Sequence, residues 1–161
     1  MIFVTLGSQK FQFNRLLQAI DRQIESGEIT ESVFAQTGWS DYKPVHYEWA
    51  PFLDREDMDA WVAKADVVIA HGGTGAIVGA LKAGKKVIAV PRLAKYGEHV
   101  DDHQEQITGQ FLGLNMILRC EDCGELSQMI AQAKEQTFRP YVSHTQAILD
   151  SIDEYINNTF Q

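Results

Sequence analysis

The sequence predicts an α/β fold: a parallel sheet with helices on both faces. Three observations lead there. Short apolar runs rich in β-branched residues alternate with apolar residues at helical spacing along nearly the whole chain. The runs 67–70 and 87–90 are apolar throughout, as strands covered on both sides require. No linker, repeat or low-complexity segment divides the 161 residues, so 1–161 reads as a single domain with room for a substantial core.

Taken in order, residues 2–6 read as a buried strand. Phe13, Leu16, Leu17, Ile20 and Ile24 recur at helical spacing, and Gly27 is a natural stop for that helix. Residues 33–36 and 45–48 read as short strands around the turn-rich stretch TGWSDYKP. Met58, Trp61, Val62 and Ala65 lie on one helical face ahead of the strand at 67–70, and a further helical pattern leads to the strand at 87–90. A helix near 101–111, a strand at 115–118 and helices near 125–134 and 144–155 complete the chain.

Composition narrows the function. A formal net charge of −8 argues against a nucleic-acid backbone as partner. A small phosphorylated ligand stays open, because backbone N–H groups bind it locally whatever the global charge. The first residues carry no basic region of a secretory signal, and no window approaches the ~18 apolar residues of a membrane span, so a cytoplasmic location is expected. The two cysteines, Cys120 and Cys123, form one C-x-x-C after a late strand. With no second pair to complete a zinc site, they read as incidental loop cysteines in a reducing compartment.

Ligands of parallel α/β sheets bind outside the carboxyl ends of the strands. Gly7-Ser8, Thr37-Gly38 and His71-Gly72-Gly73-Thr74-Gly75 all fall at such ends. Three glycines within four positions offer almost nothing to pack, so the last of these turns needs a reason. It is not a Walker A loop, because no lysine follows Thr74 and Gly75. The dinucleotide fingerprint fits Gly73 and Gly75 and then meets Val78 where glycine is required, which weakens an NAD or flavin reading. Two readings remain at this level. The turn presents helix-start N–H groups, the Thr74 hydroxyl and the His71 imidazole to a diphosphate, or it is a tight strand-to-helix turn with no ligand.

The motifs HGGTG followed by a helix and GKKVIAVPR, with YGEHVDDHQEQI, FVTLGS, QTG and DMDAWVAKADVVIAHGG, resemble the C-terminal, donor-binding half of GT-B glycosyltransferases, in the family 28 C-terminal-domain group. The resemblance covers roughly residues 1–135. It is similar above all to stand-alone donor subunits, the PssE-type exopolysaccharide transferases and the eukaryotic dolichol-pathway N-acetylglucosaminyltransferase subunit. The resemblance implies a Rossmann-like, C-terminal GT-B half. It implies transfer of a hexosyl or N-acetylhexosaminyl group from a UDP-sugar to a lipid-linked polysaccharide precursor. It implies a separate membrane-anchored acceptor-domain subunit of the PssD type and a lipid-linked diphosphate-sugar acceptor, with no bound metal or other cofactor. It would draw the chain to the inner face of the cytoplasmic membrane through that partner.

Carried over residue by residue, the resemblance places the diphosphate over Gly73, Thr74 and Gly75 beside His71 and Gly72, with Gly7 and Ser8 opposite and Gly38 nearby. Asp102, His103 and Gln104 then face the sugar hydroxyls, and Phe52, within Trp49-Ala50-Pro51-Phe52, lies where relatives receive uracil. The group often carries a ribose-holding glutamate one turn into the following helix; here that position is Gly79. A helix-interior glycine costs about 1 kcal/mol against alanine, and close packing is the plain explanation for it. The departure also leaves room for a second reading, a UDP-sugar-binding pseudo-enzyme that regulates a complete transferase.

Other features carry competing readings. Asp57-Met58-Asp59 matches a D-x-D metal signature, but acidic residues also suit a helix start, with Asp54 as cap. His103 is the candidate general base in this chain, or a donor-contact or helix-surface histidine. Lys82, Lys85, Lys86, Arg92 and Lys95 form a basic cluster that faces an anionic lipid or acceptor, or is a solvated helix end. Ile148, Ile152, Tyr155 and Ile156 give the final helix one apolar face for its own domain or for a partner.

Overall fold

The structure is a computed structural model that describes residues 1–143 together with Glu154 and Asn158. Apart from Glu154, the final helix expected at 144–155, with its apolar face, lies outside the described residues.

Six strands form one sheet in the order β3-β2-β1-β4-β5-β6, every pairing parallel. They are β1 (Ile2–Thr5), β2 (Val33–Gln36), β3 (Glu48–Ala50), β4 (Val67–His71), β5 (Lys86–Val90) and β6 (Leu118–Arg119). The helices are α1 (Asn14–Glu25), α2 (Arg55–Lys64), α3 (Thr74–Lys82), α4 (His103–Gly113) and α5 (Leu126–Glu135). The two-residue period of the strands divides the core. Ile2, Val4, Val67, Ile69, Ile88 and Val90 pack with Leu16, Leu17 and Ile20 of α1 and with Ile130 of α5. Phe3, Val68, Ala70, Val87 and Ala89 point the other way, onto Ile77 and Ala80 of α3, with α2 and α4 contributing partly buried side chains.

Two strands sit later than expected. β3 begins at Glu48, because the N–H groups of Val45 and His46 donate to the Asp21 carboxylate at 2.9 Å each instead of entering the sheet. That carboxylate is buried, which would raise its pKa, but hydrogen bonds from Tyr42, His46 and Val45 hold it below its ordinary value. β6 shrinks to Leu118–Arg119, because Asn115 takes a left-handed φ of 55° and the Met116 N–H donates to Phe111 O, closing α4.

The strand order reverses between β1 and β4, since the chain runs outward through β2 and β3 before returning. A crevice therefore opens at the carboxyl ends of β1 and β4, where Gly7 and the His71–Gly75 turn meet.

Candidate functional site

At the end of β2, Gln36 is almost fully buried and ties three loops together. Its Oε1 accepts from Thr5 Oγ1 at 2.9 Å, Leu6 N at 3.2 Å and Gly7 N at 3.1 Å, while Nε2 donates to Gly7 O and Pro51 O at 2.9 Å each. Gly7 turns at φ +73°, and Gly38 turns against its carbonyl at φ +59°. A Cβ at Gly38 would come 2.8 Å from Gly7 O, so both positions require glycine.

His71 ends β4, buried beside Gly7 and Gly73. Its Nδ1 accepts from Gly73 N at 3.2 Å and faces the Gln104 amide nitrogen at 3.2 Å. Those two donors assign the ring proton to Nε2. Burial, reinforced by the Arg92 charge, pushes the His71 pKa down to about 4, so the ring is neutral near pH 7. A Cβ on Gly7 would lie 2.6 Å from His71 Nε2, one on Gly72 would lie 2.7 Å from Gln104 Cβ, and one on Gly73 would overlap the imidazole. Gly75 differs: nothing lies within 4 Å of the place its Cβ would take.

α3 starts at this turn with Gly73 as its cap residue, in extended conformation and without a side-chain cap. Ile77 N is the first to bond back, to Gly73 O at 3.2 Å. The N–H groups of the first turn thus reach the positive end of the helix dipole without intrahelical partners. They face a cavity of about 820 Å³ that also takes in Gly7, Ser8, His71 and Thr74.

Behind the turn lies a buried polar lattice. Arg92, 1 % exposed, donates through Nη1 to Phe11 O, Gln12 O and Glu98 O at 3.1–3.3 Å and through Nη2 to Leu6 O at 2.6 Å. Burial pushes its pKa down to about 10, which leaves it charged near pH 7. Glu98 is fully buried and receives Arg15 Nε at 2.8 Å, Arg15 Nη2 at 3.0 Å and Leu93 N at 3.0 Å. Gln104 Oε1 accepts from Gly72 N at 2.9 Å and Arg92 N at 3.1 Å.

The expected site residues therefore separate. Gly7, Ser8, His71, Gly73, Thr74 and Gly75 line one cavity; Gly38 and Gly72 support its back. Gln104 does not face a sugar: it is 4 % exposed, and its amide is spent on the backbone of the turn and on His71. Phe52 is half-exposed, lies edge-on to Trp39 at 5.8 Å, and is not in the cavity wall. Asp102 accepts from Ala94 N at 2.8 Å, and His103 is exposed; neither lines the cavity.

The basic cluster also dissolves. Arg92 is buried, Lys85 Nζ donates to Ala63 O at 2.8 Å, and Lys86 Nζ donates to Lys134 O and Gln136 O at 2.6 and 3.1 Å. Lys82, Lys85 and Lys86 stand at the amino end of β5, the end of the sheet away from the glycine turn. Asp54 caps α2 by accepting from Asp57 N at 2.8 Å. Asp57 and Asp59, two positions apart on α2, do not face the same side, and only Asp59 reaches the cavity. Cys120 and Cys123 are buried free thiols, and Arg15 Nη1 donates to the Cys123 sulfur at 3.4 Å. Gly79 is not held by close packing: nothing lies within 4 Å of its missing Cβ, and it lines the cavity.

Sequence reasoning left out Gln36, Arg15 and Glu98 as supports, and Met58, Asp59 and Val62 as cavity wall. The shared helical face of Met58 and Val62 was the visible signal for that wall.

Comparison with known proteins adds a family. The Glycosyltransferase family 28 C-terminal domain matches residues 1–157. The chain is 36 % identical over 81 residues to the UDP-N-acetylglucosamine transferase subunit ALG13 of Candida glabrata, a match over 50 % of this chain and 39 % of that protein. The chain thus spans well under half the length of that curated relative. Among solved structures, MurG of Acinetobacter baumannii superposes with a TM-score of 0.59 at 18 % identity, over 94 % of this chain and 49 % of MurG. An NMR structure of ALG13 superposes with a TM-score of 0.56 at 18 % identity, over 97 % of this chain and 96 % of the other. At such identities the superpositions speak for the fold, a Rossmann-like half of the GT-B architecture.

Proposed function

The chain belongs to the glycosyltransferase family 28 C-terminal domain family, and from that premise we propose that it is the donor-binding subunit of a two-component UDP-sugar glycosyltransferase. The observation that carries this reading is the uncapped start of α3 at the switch point of the sheet, opening into a cavity of about 820 Å³. In the proposed complex the diphosphate lies on the N–H groups of Thr74 and Gly75, with the Thr74 hydroxyl and His71 Nε2–H as further donors. His71 suits this role because it stays neutral and donates without titrating near pH 7.

In the proposed reaction the oxygen of an acceptor hydroxyl bonds to the anomeric carbon as the bond from that carbon to the diphosphate breaks. Charge gathers on the leaving diphosphate, where the fixed N–H dipoles stabilise it without reorganisation. No metal ion enters this scheme. The acceptor's proton goes to a base on the second subunit, a membrane-anchored PssD-type acceptor domain that presents a lipid-linked diphosphate-sugar. His103, the candidate base of this chain, stands outside the cavity wall, which favours a base from the partner. The transferred group is hexosyl or N-acetylhexosaminyl, for a lipid-linked polysaccharide precursor. Among the described residues no helix is long and apolar enough to cross a membrane; in this reading the partner recruits the chain from the cytoplasm.

The test is nucleotide selectivity. A ligand that binds only the native state adds about 2.7 kcal/mol at a hundredfold excess over Kd. UDP is expected to raise the melting temperature well beyond ADP or NAD, and equal shifts for UDP and ADP remove the uridine assignment. Transfer activity is expected only with the partner present, since the acceptor must be aligned beside the donor. A second reading, a UDP-sugar-binding pseudo-enzyme, is favoured by Gly79, which brings no carboxylate to the α3 wall. Detectable transfer by the reconstituted pair removes it.

A further inference from the structure

Away from the cavity, the C-x-x-C that follows β6 has surroundings that packing alone does not explain. Cys120 is fully buried, and its N–H continues the sheet by donating to Ala89 O at 2.9 Å. Cys123, 6 % exposed, opens the short 3-10 turn Cys123–Glu125 ahead of α5. The chain folds back between them, so the Cys120 S–H faces Asp122 O at 3.1 Å and hydrogen-bonds the Cys123 sulfur.

Arg15 supplies the second feature. Its Nε and Nη2 are locked onto the carboxylate of the fully buried Glu98 at 2.8 and 3.0 Å. The remaining amino group, Nη1, donates to Cys123 Sγ at 3.4 Å. The cation is thus fixed beside one sulfur of the pair. A neutral thiol is a weak acceptor for a guanidinium, and a thiolate is a strong one. The hydrogen bond from Cys120, and then the Arg15 charge, hold the Cys123 pKa below that of an ordinary thiol, against burial and the charges of Glu98 and Asp122. The same hydrogen bond, with burial, holds Cys120 above it.

We propose that Cys120 and Cys123 form an oxidisable dithiol, with Cys123 as the attacking sulfur beside Arg15 and Cys120 as the resolving one. Burial restricts the oxidant to a small molecule, hydrogen peroxide. The Cys123 sulfur bonds to one peroxide oxygen as the O–O bond breaks, and the hydroxide released takes up a proton to become water. The Cys120 sulfur then bonds to the Cys123 sulfenic sulfur, the S–O bond breaks, and the Cys120 proton leaves with that hydroxide as a second water. Two thiols are oxidised to one disulfide, and one peroxide is reduced to two waters. The bridge closes so short a loop that it constrains the unfolded chain little, which suits a reversible state better than a structural staple. It also removes negative charge beside Arg15, whose partner Glu98 holds Leu93 N and, through its carbonyl, Arg92 behind the glycine turn. No donor sugar or partner subunit enters this chemistry.

Mass spectrometry of the full chain tests it. Parent treated with hydrogen peroxide is expected to lose about 2 Da and both free thiols, and to regain them with dithiothreitol. Cys120→Ser is expected to stop at a sulfenic acid on Cys123 that dimedone traps, whereas Cys123→Ser leaves Cys120 unmodified. Rate separates a reactive sulfur from a merely buried one. Burial alone makes a thiol react more slowly in the folded chain than in urea. In Cys120→Ser near neutral pH, Cys123 is expected to react faster when folded, by roughly threefold or more, since the gain in thiolate outweighs its lower nucleophilicity. Arg15→Gln is expected to raise the pH midpoint of Cys123 alkylation, and Arg15→Lys to bring it back down. Should Arg15→Gln fail to fold, the comparison of folded and urea-unfolded chain decides alone. Slower reaction of Cys123 in the folded chain overturns the proposal, as does oxidation of Cys120 in Cys123→Ser at the rate of the parent. An alkylation midpoint unmoved in folded Arg15→Gln overturns the part assigned to Arg15.

Discussion

Gly73 and Gly75 sit two residues apart in one turn and answer to opposite constraints. Gly73 is pressed against the His71 imidazole, and its neighbour Gly72 against Gln104; a side chain at either collides with a committed buried group. Gly75 and, further on, Gly79 face open space, where a side chain meets nothing of the protein itself. One wall of the site is thus packed against the protein itself, and the other is left open to the cavity. A run of glycines that looks uniform in sequence is two different devices back to back.

The largest expected effect comes from the packed wall. Gly73→Ala forces the His71 ring, and with it the Gln104 and Arg92 lattice, to move; overpacking and lost buried hydrogen bonds together are expected to cost about 3 kcal/mol or more. Gly75→Ala is expected to change stability by less than about 1 kcal/mol, since its methyl meets no protein atom, while weakening UDP, because in the proposed complex that methyl meets phosphate oxygens. Chemical denaturation with calorimetry checks the pair, and equal destabilisation by both substitutions breaks the comparison.

Acid probes the same packed wall. The folded His71 pKa lies near 4, below its ordinary 6.5, so the unfolded chain takes up the proton first as the pH falls. The stability tied to neutral His71 is complete above pH 6.5, is lost progressively between 6.5 and 4, and falls no further below that. About 2.5 pK units correspond to a loss of about 3 kcal/mol. Urea midpoints across this window measure it, and an NMR titration placing the ring near 6.5 removes the effect.

The open wall carries the smaller effects. Thr74→Val removes one hydroxyl from an exposed position and is expected to weaken UDP by roughly tenfold, about 1.4 kcal/mol, with little change in stability. UDP bound as tightly as by the parent would mark the turn as structural. Gly79→Ala is expected to raise stability by about 0.5–1 kcal/mol, since alanine is the better helix former and its methyl has room. A destabilised Gly79→Ala would mean that the cavity closes over Gly79 in solution.

Much of the scaffold was legible because its signals are local. The apolar run at 2–6, the helical spacing of Leu16, Leu17 and Ile20, and the glycines after the strands foretold the parallel sheet and the strand ends at which the cavity opens; the switch point itself came from the strand order. The third strand was misplaced because Asp21, on α1, takes the N–H groups of Val45 and His46, and nothing near those residues reports that. Arg92 looked like surface charge for the same kind of reason. Its partners Leu6 O, Phe11 O and Gln12 O lie 80 or more residues away in sequence.

By itself, then, the sequence determined the parallel α/β architecture, the family and a glycine turn at a strand's carboxyl end, since periodicity and turn chemistry are properties of neighbouring residues. The tertiary structure alone decided which glycine is packed and which is open, that Gln104 and Arg92 serve the backbone, and that residues of α2 and α3 line one cavity with the glycine turn. Those outcomes depend on which carbonyls, rings and helix faces converge from distant parts of the chain, and burial makes each convergence a constraint that no local pattern encodes.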